Sequence, residues 1–272
     1  MHVWIIVAVV VILGLIIFLG WPHKIDATRK KIYSSLIHHK VRICVISDLH
    51  ANTFGENNER MSRIVNKHRP DLIVYPGDLF TPGANNQNGI VLMHALQQYP
   101  QVYITGNHDE RLNEEELQNL FIQMRKLGVH ILQDNSEIIH INGQALEVIG
   151  LTDGGKENDK TFEEVDSLCV SPEYRILLSH RPHYIDFYEQ LPVNLIISGH
   201  AHGGQWVIPF THQGIFAPQQ GLFPKYTHGI KNLDGRLLYI SRGLATGNKF
   251  FVRLFNNPEI GFIDLLPMRK KG

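Results

Sequence analysis

Five short apolar runs in this chain each end in aspartate, asparagine or histidine, and that repetition limits the fold more than any other feature. Residues 41–47 (VRICVIS) lead to Asp48 and His50, and residues 72–76 (LIVYP) lead to Gly77 and Asp78. Residues 101–105 (QVYIT) lead to Asn107, His108 and Asp109. Residues 174–179 (YRILLS) run into His180, and 194–198 (NLIIS) run through Gly199 into His200 and His202. Runs of this length, rich in valine and isoleucine, read as buried strands. In open α/β sheets ligands collect beyond the carboxyl ends of strands. One such residue is ordinarily a helix cap, a turn or a surface side chain. Turns do not require oxygen and imidazole donors at five strand ends, so the set reads as one metal site.

Between these strands lie helical patterns. Residues 58–68 stop near Pro70, residues 88–99 separate two strands, and residues 113–128 place acids first, Arg125 and Lys126 late, and Gly128 as a stop, as the helix dipole prefers. Strand-like runs follow (HILQ, EIIHI, ALEVIGL), then a short helix at TFEEVDSL and another at YIDFYEQL. The last third, 206–266, is rich in glycine, proline and aromatics, with strands expected at RLLYIS, FFVRLF and IGFIDLL. Alternation early and strands late predict two βαβ-derived halves whose sheets stack, with helices outside.

Residues 3–21 carry no charge. At about 1.5 Å per residue they span roughly 28 Å, near the hydrocarbon thickness of a bilayer. Trp4 and Trp21 stand near the ends, where amphipathic rings favour the interface. A cleaved signal peptide would want positive charge before the run and a small-x-small site after it, and neither is present. A buried core helix would want a polar face. The expectation is an uncleaved transmembrane anchor at 1–22, a basic juxtamembrane linker at 23–40 and a single domain at 41–267. Lys24, Arg29, Lys30 and Lys31 follow the run and nothing basic precedes it. The positive-inside rule then predicts a single-pass cell-membrane protein with its domain on the cytoplasmic side and basic residues near anionic headgroups. The 26 basic residues balance 26 acidic ones, so nothing argues for nucleic acid as a partner. The two cysteines, Cys44 and Cys169, form no CxxC pair and read as free thiols.

Asp48, His50, Asp78, Asn107, His180, His200 and His202 make seven candidate ligands. Read as extended segments, Asp48 with His50 and His200 with His202 would each point one way. Gly199, Gly203 and Gly204 would let the backbone come close to a ligand. Seven donors fit two divalent cations sharing a carboxylate. An oxygen and nitrogen set with four histidines suits Mn²⁺, Fe or Zn²⁺ better than Ca²⁺, Mg²⁺ or copper.

The motifs DLH, GD, GNHD, LLSH and GHAH, in that order, resemble those of the calcineurin-like metallophosphoesterases. GHAHGGQ, LFPKYTHG, SRGL and RLFNNPEI resemble further the membrane-associated bacterial branch typified by YkuE and YaeI. The resemblance implies an α/β fold, a four-layer α/β/β/α sandwich of two mixed β-sheets flanked by helices, here with an N-terminal transmembrane helix. It implies one cation on Asp48, His50, Asp78 and His202 and another on Asp78, Asn107, His180 and His200, with Mn²⁺ expected. It also implies hydrolysis of a phosphodiester or pyrophosphate by activated water, with His108 stabilising the transition state or protonating the leaving oxygen. Asp109 would either orient His108 or cap a helix over 110–117. Arg242 either reaches a phosphate or pairs with a surface acid. Lys225 and Tyr226, with nearby aromatics, form either a rim or core. A lipid-linked envelope precursor is one expected substrate class; a general phosphodiesterase or phosphomonoesterase acting on small soluble substrates, and a metal-free scaffold, are the alternatives.

Overall fold

The computed structural model describes residues 2–153, 158–246 and 253–268. Fourteen strands are present among them: β1 (Asp26–Ser34), β2 (Val41–Val45), β3 (Leu72–Pro76), β4 (Gln101–Ile104), β5 (Val129–Ile131), β6 (Asn135–Ile141), β7 (Gln144–Gly150), β8 (Tyr174–Leu178), β9 (Leu195–Ser198), β10 (Phe216–Ala217), β11 (Gly221–Leu222), β12 (Gly229–Leu233), β13 (Arg236–Ile240) and β14 (Glu259–Pro267). The helices are α1 (His2–Gly20), α2 (Glu59–His68), α3 (Gln87–Ala95), α4 (Glu114–Lys126), α5 (Phe162–Ser167) and α6 (Ile185–Tyr188). The strands form two six-stranded sheets, ordered β1-β14-β2-β3-β4-β5 and β12-β13-β9-β8-β7-β6, and a small β10-β11 pair.

Alternation of side chains along the strands builds the layers. In β2, Cys44 faces α2, α3 and α4, while Ile43 and Val45 face the second sheet; in β3, Ile73 and Tyr75 point outward and Leu72 and Val74 inward. In β8 and β9, Leu177 and Ile196 face α5 and α6, while Ile176, Leu178, Leu195 and Ile197 join the inter-sheet core. Every strand residue named here is fully buried, which explains their unbroken apolar sequence. The result is the α/β/β/α sandwich. β2, β3, β4 and β5 run parallel, as do β7, β8, β9 and β13, so both sheets gather several carboxyl ends.

Helix boundaries follow capping chemistry. Asn113 caps α4 by accepting from Glu116 N, and Thr161 with Glu164 forms a capping box on α5. Helix α3 stops at Ala95, short of the expected Tyr99, and α6 is a single turn. Residues 250–252 of FFVRLF lie outside the described residues; of the rest, Leu254 makes only an isolated bridge to Trp206.

The stretch 23–40 is not simply a linker. Its residues Asp26–Ser34 pair in parallel with Glu259–Pro267 over nine positions and form the edge of the first sheet. Arg29 and Arg42, from the strands either side of β14, both bond Asp264. Exposed Lys30 and Lys31 blunt the open edge against further pairing. Helix α1 is apolar on every side, with Gly20 its one buried residue among those described, and is long and apolar enough to cross a membrane. Cys44 and Cys169 are free thiols.

Candidate metal centre

All the loops that leave β2, β3, β4, β8 and β9 converge at the open end between the two sheets. Three overlapping triads form there: Asp48, His50 and His202; His50, Asp78 and His108; and Asp78, His180 and His200. Within each, the ligand atoms lie within 4.8 Å of one another. Asp78 belongs to two triads, on one side with His50 and on the other with His180 and His200. Its Oδ2 is 3.2 Å from His180 Nε2 and 3.6 Å from His50 Nε2. His200 Nδ1 lies 3.1 Å from His180 Nε2. Two nitrogens bound to one cation at about 2.1 Å are roughly 3.0–3.4 Å apart, so the spacing fits a shared ion.

The backbone at these ligands is not extended. Asp48 (φ 52°), His50 (φ 49°), Asp78 (φ 56°), His200 (φ 65°) and His202 (φ 47°) all occupy the left-handed region. The side chains of Asp48 and His50, and of His200 and His202, thus converge through tight left-handed bends rather than through strand alternation. Such conformations cost about 1–3 kcal/mol each and concentrate where function requires them. Two glycines make the crowding tolerable. A Cβ on Gly77 (φ 93°) would come within 2.6 Å of His180 Nδ1, and one on Gly199 would come within 2.6 Å of Asp48 Oδ2.

Three of the rings are oriented by a bond from the far nitrogen. His180 Nδ1 donates to Pro76 O at 2.8 Å, which turns Nε2 into the site. His50 Nδ1 lies 3.1 Å from Thr81 Oγ1, leaving Nε2 toward Asp78. Gln219 Oε1 lies 2.5 Å from His200 Nε2 and accepts its proton, which leaves Nδ1 free to face the site. The aspartates tie neighbouring ligand loops together: Asp48 Oδ1 accepts from His200 N at 2.9 Å and Asp78 Oδ1 from His108 N at 2.8 Å. The His108 ring stands edge-on to His50, centroids 4.5 Å apart.

Burial lowers the His50 imidazole to about 4 and, with the charge of His180, that of His200 to about 3; it also holds His202 far below its usual value. His180 differs. Burial works against its charge, but Asp78 and Asp48 outweigh burial and raise it to about 10. Asp78, despite burial, is held well below the carboxylate range by His180 and His50. Three neutral imidazoles and an ionised carboxylate shared by two triads are protonation states that suit a cation. Asn107 Oδ1 is buried with no hydrogen-bond partner. An orphaned acceptor costs about 1–3 kcal/mol, and a cation would satisfy it. The donor set therefore fits two divalent ions. One testable consequence concerns His180: below its pKa of about 10 a proton competes with the cation, so binding strengthens as pH rises through neutrality. Calorimetry of Mn²⁺ binding in buffers of different ionisation enthalpy is expected to show proton release.

One expectation changes. Asp109 neither contacts the His108 ring nor caps α4. It is fully buried, and its carboxylate accepts from Asp78 N (2.7 Å), Phe80 N (2.7 Å) and Gly106 N (2.8 Å), so it holds the two ligand-bearing turns together. Arg242 takes the second of its two expected roles and pairs with acids, Glu259 and Asp26. One arginine beside the site is Arg253, 1% exposed, whose charge acts on Asp48, His50 and His202. No pattern in the sequence marks Thr81 or Gln219, since neither sits at a strand end, and Arg253 stands in the motif RLFNNPEI without a role assigned.

Residues 41–204 match the model of the calcineurin-like phosphoesterase family. The chain belongs to that family. It is 28% identical to the metallophosphoesterase YkuE of Bacillus subtilis over 257 residues, covering 90% of this chain and 86% of YkuE. It is 25% identical to the phosphodiesterase YaeI of Escherichia coli over 232 residues, covering 83% of this chain and 82% of YaeI. Among solved structures, a 5′-nucleotidase precursor from Thermus thermophilus superposes with a TM-score of 0.51 at 17% identity, over 75% of this chain and 49% of that one. This chain spans about half of that nucleotidase, and the likeness carries the fold alone. The phosphoesterase is thus a metal-dependent hydrolase by family.

A merely structural glutamine could be removed without consequence for metal. Gln219→Ala is instead expected to weaken Mn²⁺ binding by about 10–100-fold, the usual cost of removing a group that orients a ligand histidine. Equilibrium dialysis against the unaltered chain checks this, with circular dichroism to confirm the fold.

Proposed function

We propose that this chain is a membrane-anchored phosphodiesterase or pyrophosphatase that uses two divalent cations, Mn²⁺ for preference. Asp48, His50, Asp78 and His202 would hold one and Asp78, Asn107, His180 and His200 the other. The observation that carries this reading is Asp78, shared between two groups of imidazoles; the buried Asn107 amide oxygen, which has no hydrogen-bond partner, supports it. When bound, the cations supply Lewis-acid activation of water and neutralise charge on the phosphoryl oxygens.

The chain's own groups do the rest. Asp109 keeps the Asp78 and Gly106 turns in register through three amides. The half-buried His108 ring, beside His50 and Asp78, is placed to hand a proton to the leaving oxygen or stabilise charge on it. Burial lowers its pKa against the pull of Asp78, so it carries its proton less tightly than a free imidazole.

Helix α1 supports an anchor, and the basic residues that follow it support a cytoplasmic domain. The description of the E. coli relative as a phosphodiesterase supports a diester substrate. An apolar anchor beside the domain supports a lipid-linked substrate. The deciding experiment compares Mn²⁺-loaded enzyme on bis-p-nitrophenyl phosphate, p-nitrophenyl phosphate and a lipid-linked pyrophosphate. The diester or the pyrophosphate is expected to win by kcat/KM. A clear preference for the monoester overturns the reading, and digestion of the domain by protease outside intact cells overturns the sidedness.

A further inference from the structure

The foot of α1 is fastened to one surface of the domain. Phe255 N donates to Gly20 O at 2.7 Å, and the Phe255 ring lies against Gly20. The neighbouring Leu254 bridges Trp206, and Val207 N donates to Leu254 O at 3.0 Å. From there the chain turns out and back: Val207 bridges Gly214, and Phe210 stands near the tip, wholly exposed. Ile215 N then donates to Trp206 O at 2.7 Å and Phe223 N to Ile215 O at 2.9 Å, which sets Phe223 and Leu222 beside the same patch. Trp206 (46% exposed), Phe210 (103%), Leu222 (68%) and Phe223 (61%) present a cluster of large apolar side chains that no element of the described chain covers. Lysines border it: Lys225 lies two residues past Phe223, and Lys30 lines a cavity of about 230 Å³ beside Phe255 and Val207.

We infer that this face is a bilayer-docking surface: the 206–210 and 222–223 loops insert at the headgroup–acyl boundary of the membrane that α1 crosses, while Lys30 and Lys225 meet anionic headgroups. The inference rests on the reading of α1 as a membrane span. The bond between Gly20 and Phe255 chooses the occupant. A span of 19 residues ends at headgroup level, so whatever is bonded to its last carbonyl lies at that level too. Aromatic rings beside lysines are the composition that such an interface selects. A second copy or a protein partner would have no need for the patch to sit at the foot of α1. The same loop carries Gln219 against His200 on its inner side and Leu222 and Phe223 on its outer side. Docking would therefore hold the metal centre one loop from the headgroups, within reach of a phosphoester carried there.

The test uses the full chain in vesicles of phosphatidylcholine and phosphatidylglycerol with brominated acyl chains. A Trp4→Phe/Trp21→Phe variant reports Trp206 alone, and a Trp21→Phe/Trp206→Phe variant reports Trp4 in α1. Both are expected to be quenched, with Trp206 blue-shifted, since interfacial insertion buries a ring about 5–10 Å deep. Adding Phe210→Asp and Phe223→Asp is expected to abolish Trp206 quenching and leave Trp4 quenching unchanged. If Trp4 is quenched and Trp206 is not, the docking surface is refuted while the anchor stands. If Trp206 is shielded from acrylamide but untouched by bromine, a protein covers it and the lipid assignment is refuted. If Trp4 is unquenched, the anchor fails and the inference falls with it.

Discussion

Asp78→Asn is expected to leave the chain folded but without stably bound metal, and without detectable phosphoester hydrolysis above the free-metal background. Asp78 stands in two ligand groups at once, so the exchange weakens both positions rather than one. The substitution preserves shape and the acceptor for His108 N, but removes the charge that holds His180 protonated in the cation-free site. Elemental analysis after gel filtration reads the metal, and initial rates on bis-p-nitrophenyl phosphate read the activity. Full retention of two ions per chain in the variant would show that Asp78 is not their bridge. Loss at Asp78 should exceed loss at any ligand that serves a single position, such as Asn107.

His108→Ala is expected to behave differently. The ring lies next to His50 and Asp78, and its backbone amide, which the substitution keeps, supports Asp78 Oδ1 at 2.8 Å. Metal content should stay near that of the unaltered enzyme while kcat falls by about 10²–10⁴-fold, the usual span for a lost proton-transfer group. A substrate with a good leaving group needs the proton less, so the defect should shrink for nitrophenyl esters relative to alkyl esters. Equal metal loss in the His108 and Asp78 variants would contradict the division of roles.

Much of the site was legible because its chemistry is local in sequence. A side chain that follows a buried strand is announced by the apolar run before it: β2, β3, β8 and β9 each bring theirs into the triads, and β4 brings His108. The backbone shape was not legible. Left-handed φ at Asp48, His50, Asp78, His200 and His202 is imposed by tertiary hydrogen bonds, which outweigh the extended preference read from alternation. Groups that act from a distance left no trace either. Gln219 lies in a glycine- and proline-rich stretch and meets His200 only after folding, and Asp109 looks like any acid at a turn until its three amide donors are seen. Strand β1 was missed for another reason. DATRKKIYS has little apolar alternation because an edge strand buries few side chains, Ile32 alone among these nine, and is held by main-chain pairing instead. Strand β12 was not expected either, although Asp234-Gly235, which turns it into β13, is a dipeptide suited to the positive φ angles found there, 45° and 87°.

The position of β14 sets an order of assembly. The last strand of the sequence lies between the first two, β1 and β2, and pairs with both. During synthesis those early strands must wait, with backbone groups unsatisfied, until residues beyond 259 leave the ribosome. Arg29 and Arg42 then meet one arriving carboxylate, Asp264, from opposite flanks, which selects the correct alignment as the late strand slots in. Chains released before that point would carry two open edges, and protein quality control would meet them in that form.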